Sequence, residues 1–188
     1  MKNFPFVSVF IAVCCLVMLS CTGKPEKVTP VSPFNIEKYL GKWYEIARFP
    51  HSFEEGLSHV TATYSVRKDG GIDVLNKGFN DDAQKWEEAK GEAYFVEDEN
   101  TGYLKVSFFG PFYASYIIVA LDQADYQYAL VTGPDKEYLW VLSRTPELDD
   151  KIVDKLLKKA QSLGYDLGKI IYVDQSAMPS AMQDKPNA

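Results

Sequence analysis

The sequence predicts an all-β fold: an eight-stranded up-and-down antiparallel β-barrel with one C-terminal α-helix packed outside. Three observations lead there. From Gly41 to Arg144, short runs of β-like alternation follow one another, separated by turn signals and without a helical period. Helical periodicity occurs once, after the last of those runs. The chain is 14% aromatic, with 12 Tyr and 11 Phe, which suits strands and apolar cavities better than a helical bundle. Its 188 residues are enough for one domain with a sizeable core.

Residues 1–20 read as a signal peptide. Lys2 supplies a positive start, Phe4 to Leu19 is an apolar run interrupted by Pro5 and Ser8, and Ser20-Cys21 follows. The run is too short for a membrane span and ends in a small residue. Met18-Leu19-Ser20-Cys21 resembles a bacterial lipobox, with Met18 in place of the usual leucine. The resemblance implies that Cys21 is lipidated and becomes the first residue of the mature chain. It further implies outer-membrane sorting, because Thr22 stands where Asp would signal inner-membrane retention. All three Cys lie at or before position 21, so the mature domain has no disulfide, thiol nucleophile or thiolate metal site. Residues 22–33 carry three prolines and little to bury, and read as a flexible tether. In polyproline geometry it would reach about 35 Å.

The domain proper is expected over residues 34–174. Phe34 to Leu40 reads as a short helical or irregular turn, with Phe34, Ile36 and Leu40 covering the barrel base. The first strand starts at Gly41, where a residue without a Cβ permits a tight backbone turn, and carries Trp43 inward. Val60 to Val66 alternates, and Asp69-Gly70-Gly71 is a hairpin signal before Ile72 to Phe79. In Gln84 to Glu97, Ala89, Gly91, Ala93 and Phe95 share a face. Tyr103 to Phe109, Tyr113 to Leu121, Tyr126 to Thr132 and Glu137 to Ser143 complete eight strands. Such a meander loses its edges by closing on itself, leaving an interior for side chains or one small ligand. Small inward residues favour an interior that is partly empty; neighbouring aromatics filling it is the other reading. Ile152, Leu156, Ala160 and Leu163 make one stripe of a helix over Asp149 to Leu163. A short strand over Lys169 to Asp174 follows, and residues 175–188 read as a disordered tail.

These motifs identify the chain, over residues 34 to about 174, as resembling the lipocalins, and within them the bacterial outer-membrane subfamily related to apolipoprotein D. Gly41-Lys42-Trp43-Tyr44-Glu45-Ile46-Ala47-Arg48 matches the first family motif; Ala120-Leu121-Asp122 through Leu130 stands where the second lies. Tyr138 to Pro146 carries the third, with Arg144 the family arginine. Asn76 to Asn80 and Lys105 to Phe112 look like subfamily signatures. The resemblance implies that Gly41, Trp43 and Arg144 are a structural group at the closed end, the guanidinium lying over the indole. It also implies a carrier or store of fatty acid or lysophospholipid that supports envelope maintenance. Read from residues alone, the ligand is an elongated apolar molecule.

Candidate cavity residues are Phe79, Trp86, Tyr94, Phe108, Tyr113, Tyr116 and Trp140. An apolar cup with a few tyrosine hydroxyls suits an acyl chain, each buried CH₂ contributing about 0.8 kcal/mol. Catalysis finds little support. His51 and His59 are the only histidines, read as solvated loop residues, and Glu54-Glu55, Asp81-Asp82, Glu87-Glu88 and Asp149-Asp150 read as exposed pairs. There is no Gly-x-Ser-x-Gly elbow and no His-Glu-x-x-His helix, so neither an enzyme nor a cofactor is expected. The net charge of −6 argues against nucleic acid as a partner. Two other readings stand beside the lipid carrier: an envelope protein-interaction module with a filled barrel, and a haem or tetrapyrrole carrier. Self-pairing into a homodimer through exposed aromatics is a further family-style option.

Overall fold

The computed structural model describes residues 22–177. The segment assigned to the signal peptide, Cys21 and residues 178–188 lie outside it. Eight antiparallel strands follow in chain order: β1 (Gly41–Arg48), β2 (Leu57–Val66), β3 (Ile72–Asn80), β4 (Lys85–Phe95), β5 (Tyr103–Phe109), β6 (Phe112–Leu121), β7 (Tyr128–Thr132) and β8 (Leu139–Ser143). Each pairs with the next, and β8 and β2 both pair with β1, which closes the barrel. The expected meander is therefore present, with its boundaries shifted by a few residues. Before it stands the short helix α1 (Ile36–Tyr39), capped by the Asn35 side chain, which accepts from the Lys38 amide.

One end of the barrel is sealed and the other open. Strand directions put the amino end of β1 and helix α1 at the sealed end. The loops 49–56, 81–84, 110–111 and 133–138 are at the open end. Near the sealed end β1 pairs with β2, Trp43 opposite Ala62; toward the open end the two strands separate. A two-residue strand, β9 (Ile171–Tyr172), enters the gap and pairs with Ala47 and Arg48. His59 N donates to Asp174 O at 2.8 Å, and Gln175 Nε2 reaches both Glu45 O (2.9 Å) and Val60 O (2.8 Å). The main-chain groups freed by the separation are thus satisfied by the C-terminal segment, and Gln175 is docked where a disordered tail was expected.

Two apolar clusters share the strands. Inside the barrel, Trp43, Tyr64, Ile72, Val74, Ala93, Leu104, Ile118, Val131 and Leu142 pack together with Phe34 and Tyr39 from the sealed end. Outside, helix α2 (Asp150–Ser162) lays Val153, Leu156, Leu157 and Ala160 on Ala47, Ile117, Leu130, Leu139 and Val141. Alternation along one strand supplies both: Ile117 faces the helix and Ile118 faces the lumen.

Residues 22–33 differ from the free tether expected for them. Val28 is buried in the outer cluster, Val31 N donates to Ile118 O at 2.8 Å, and Gly102 N donates to Val31 O at 2.9 Å. A Cβ on Gly102 would stand 2.8 Å from Val31 Cγ2, so the approach needs glycine there. Gly23 O accepts from Ser115 Oγ at 2.6 Å, and Thr22 O accepts from Tyr103 Oη. The stretch turns once, Val28 N donating to Pro25 O at 3.1 Å, and its valines and carbonyls find partners on and beside β5 and β6.

Candidate functional site

The sealed end is built by a cation over a ring. The Arg144 guanidinium lies 3.8 Å from the centroid of Trp43, whose side chain is fully buried. Arg144 donates to Lys42 O (2.9 Å), Lys38 O (2.7 Å), Tyr39 O (3.1 Å) and Tyr126 O (3.2 Å). Trp43 Nε1 donates to Tyr39 O at 2.8 Å. One planar side chain thereby ties α1, β1 and the β6–β7 connection together. Gly41, at φ +91°, turns the chain into β1 with Arg144 Nη1 3.6 Å from where its Cβ would stand.

Above this floor lies a layer of three tyrosines. Tyr116 Oη is 2.8 Å from both Tyr39 Oη and Tyr64 Oη. Burial raises all three phenols above their ordinary range, so they stay protonated and polar at neutral pH. Any ligand descending from the mouth meets this hydroxyl chain before the apolar packing around Trp43.

The upper barrel contains a charged cluster that the residue patterns did not reveal. Arg48 Nη1 donates to Glu45 Oε1 at 3.0 Å and Arg48 Nη2 to Glu54 O at 2.7 Å, with both charged side chains of the Arg48–Glu45 pair only 5% exposed. Trp140 Nε1 donates to Glu54 Oε2 at 3.3 Å. Burial, then the charge of Glu54, pushes Glu45 well up against the pull of Arg48. Burial likewise raises Glu54, opposed chiefly by Arg48. Two carboxyls face one guanidinium, and a proton on either of them would leave the group neutral, the form a buried site tolerates best.

His51 completes the cluster. Its ring stacks on Phe53 (5.1 Å, 2°) and Tyr138 (5.0 Å, 13°) and meets Trp140 at 4.7 Å. Burial, and then Arg48, hold its pKa down to about 4. His51 and Glu54 are therefore buried, which corrects their assignment to solvated surface; Glu55, Asp81, Asp82, Glu88, Asp149 and Asp150 are exposed. The sequence carries part of the signal. Glu45 is two residues from inward Trp43, so alternation aims it inward. A β-bulge between Glu45 and Ala47 then resets the parity, turning Ala47 to the helix side and Arg48 back into the barrel. Nothing local marks Glu54.

Of the seven aromatics proposed for the cavity, Phe108, Tyr116 and Trp140 pack with the interior cluster. Phe79, Trp86, Tyr94 and Tyr113 do not, and they need correction. The β3–β4 register is continuous and pairs Phe79 with Trp86 on the face opposite Val74 and Ala93, where the two rings meet edge to face at 5.6 Å. Tyr94 and Tyr113 likewise face outward, 6.3 Å apart, with Tyr94 Oη on Asp69 and Tyr113 Oη on Glu92. Their residue type suggested a lumen, and their register parity placed them on the wall. The inward positions on β2 to β6 are instead occupied by Ala62, Asn76, Ala89, Val106 and Ala114. None of these five is fully buried although each faces inward.

Comparison with known proteins agrees with this architecture. A lipocalin-like domain model matches residues 34–175. The chain is 53% identical, over 89% of its length and 98% of the relative's, to a protein named outer membrane lipoprotein Blc from Vibrio cholerae. It is 36% identical to mouse apolipoprotein D, covering 78% of this chain and 79% of that one. Among solved structures, insecticyanin from the tobacco hornworm superposes with a TM-score of 0.65 at 25% identity, over 85% of this chain and 89% of that chain. The sealed and open ends are thus those of a known barrel, and the chain belongs to the lipocalin family.

Proposed function

We propose that this chain is an outer-membrane lipoprotein, anchored through acylated Cys21, that holds one elongated apolar ligand in its barrel and performs no chemistry on it. The ligand class is a fatty acid or lysophospholipid, and the role is lipid storage or transport in envelope maintenance. One observation supports the reading: the inward side chains on β2 to β6 above the tyrosine layer include the small or apolar Ala62, Ala89, Val106 and Ala114, none of them fully buried. An acyl chain entering it would lie on Ala62, Val106, Phe108 and Ala114 and stop at Tyr116. Burying ten methylenes there would contribute on the order of 8 kcal/mol before ordering costs. The relatives named outer membrane lipoprotein support the anchor and its location.

Native mass spectrometry of delipidated, refolded protein titrated with lysophosphatidylethanolamine tests the ligand. A one-to-one complex is expected; no complex with any single-chain lipid would sink the reading. Separately, Cys21→Ala should release the protein from membranes, and continued retention would refute the anchor.

A further inference from the structure

Asn76 is a half-buried amide on an apolar stretch of the inner wall. Its register partners are Ala62 on β2 and Ala89 on β4, and Ala62 in turn stands opposite Trp43 of the interior cluster. Cross-strand partners share a face, so the amide is turned inward with them. Its neighbours on the same face of β3 are Val74 and Gly78. None of these four residues has a side chain that can form a hydrogen bond. The buried Oδ1 of Asn76 accordingly has no partner among the described residues.

Buried amide oxygens are nearly always paired, so this one calls for a physical reason. The strand does not supply it, because asparagine is a poor strand former and a β-branched residue would suit the pleat better. With no side chain to pair with on its own face, the amide draws its partner from whatever enters the barrel. Depth then narrows what that partner is. Asn76 lies four residues before Asn80, where β3 ends at the mouth. That is about 13 Å along the strand, or about 10 Å below the rim at the usual tilt of barrel strands. It also lies one pair nearer the mouth than Tyr64 and Val74. A single-chain lipid that keeps its charged head in water therefore passes Asn76 with its acyl chain.

The orphaned atom is an acceptor, so the passing chain has to bring a donor. A carbonyl has no proton to give, and an ammonium would lose its hydration at that depth. An alcohol donates to Oδ1 and can accept from Nδ2, whereas a methylene does neither. We propose that the barrel prefers a single-chain lipid with a hydroxyl on the buried part of its acyl chain, and that Asn76 reads that hydroxyl. The preference rests on the lipid-carrier function proposed above and narrows its ligand.

The test displaces a fluorescent fatty acid from the delipidated chain with octadecanoic acid and its 10-hydroxy and 2-hydroxy derivatives. The 10-hydroxy acid is expected to bind at least about fivefold tighter than octadecanoic acid. The 2-hydroxy acid, whose hydroxyl stays beside the carboxyl at the mouth, should bind within about twofold of octadecanoic acid. Asn76→Leu keeps a branched side chain and removes the amide. It should bind octadecanoic acid at least as well as the parent and lose the preference, and Asn76→Val serves the same purpose should the leucine variant fail to fold. Tyr116→Phe should keep the preference, since the hydroxyls of Tyr116 and Tyr64 are already paired at 2.8 Å. Equal affinity of the parent for all three acids overturns the proposal; a water retained on the amide would give that result. A preference that survives in both Asn76 variants, or that only Tyr116→Phe removes, assigns the hydroxyl to another group and overturns it too. Those outcomes leave the carrier function standing. A parent that binds neither the probe nor any of the acids sinks the carrier function and this preference with it.

Discussion

Arg48 and Glu45 form an ion pair at 3.0 Å inside the barrel, on one strand and on one face, because a β-bulge between them resets the alternation of β1. Glu54 adds a second carboxyl from the mouth loop, and His51 stacks beside it. The mouth of this lipocalin is therefore organised by buried charge, and its folding stability becomes dependent on pH.

The carboxyls set one direction of that dependence. Burial raises Glu45 in the folded state above the ordinary carboxylate range, so the fold holds a proton that the unfolded chain releases. That contribution is complete at low pH and is lost as pH rises through the folded value. Glu45→Gln removes it. The variant should gain on the parent, by at most about 1.4 kcal/mol per pH unit, as pH rises from 5 toward 8. Urea denaturation at several pH values measures this; parallel stability curves would contradict a raised Glu45 carboxyl.

His51 acts in the opposite sense. Its folded pKa of about 4 lies below the ordinary 6.5, so the unfolded chain takes up a proton that the fold excludes. Stability from neutral His51 is present above pH 6.5 and lost as pH falls toward 4, by up to about 3 kcal/mol. Since Glu45 and Glu54 slope the other way, the contribution is read by difference. The parent should lose stability relative to His51→Asn between pH 6.5 and 4, and a constant difference would exclude a buried neutral imidazole.

At the sealed end, Arg144→Lys should cost about 2–4 kcal/mol despite keeping the charge. A lysine cannot cover Trp43 while donating to Lys38, Tyr39, Lys42 and Tyr126 carbonyls together. Chemical denaturation should show the loss, while lysophospholipid affinity of the folded fraction stays within about twofold, because the proposed acyl site lies above the tyrosine layer.

Two neighbouring positions on β6 separate lumen from wall. Ala114→Trp fills the space beside Val106 and should weaken lysophospholipid binding at least about tenfold without unfolding the barrel. Tyr113→Ser, one residue away on the outer face, should leave binding unchanged. Native mass spectrometry on both variants decides, and equal losses would place the ligand elsewhere.

Much of the fold is legible in the residues because it depends on local signals. Alternation from Val60 onward, the turn at Asp69-Gly70-Gly71 and the stripe Ile152, Leu156, Ala160 each act over a few residues, and the eight strands and α2 lie where those signals put them. The candidate site was only partly legible. Tyr116 and Trp140 suggest a lumen by type and face it by register, but Phe79, Trp86, Tyr94 and Tyr113 have the same type and the opposite parity. Period two leaves only two choices, and one bulge exchanges them.

By itself, then, the sequence determined the strands, the late helix and the residues that meet at the sealed end, since spacing and side-chain chemistry suffice for those. Only the tertiary structure decided that Glu54 and His51 are buried with Arg48, because their partners come from β1, β8 and the mouth loop together. It also decided that residues 22–33 lie along β5 and β6. Val28 and Val31 bury no surface as an isolated extended chain, and they become buried or packed only against a wall assembled from residues about ninety positions further on.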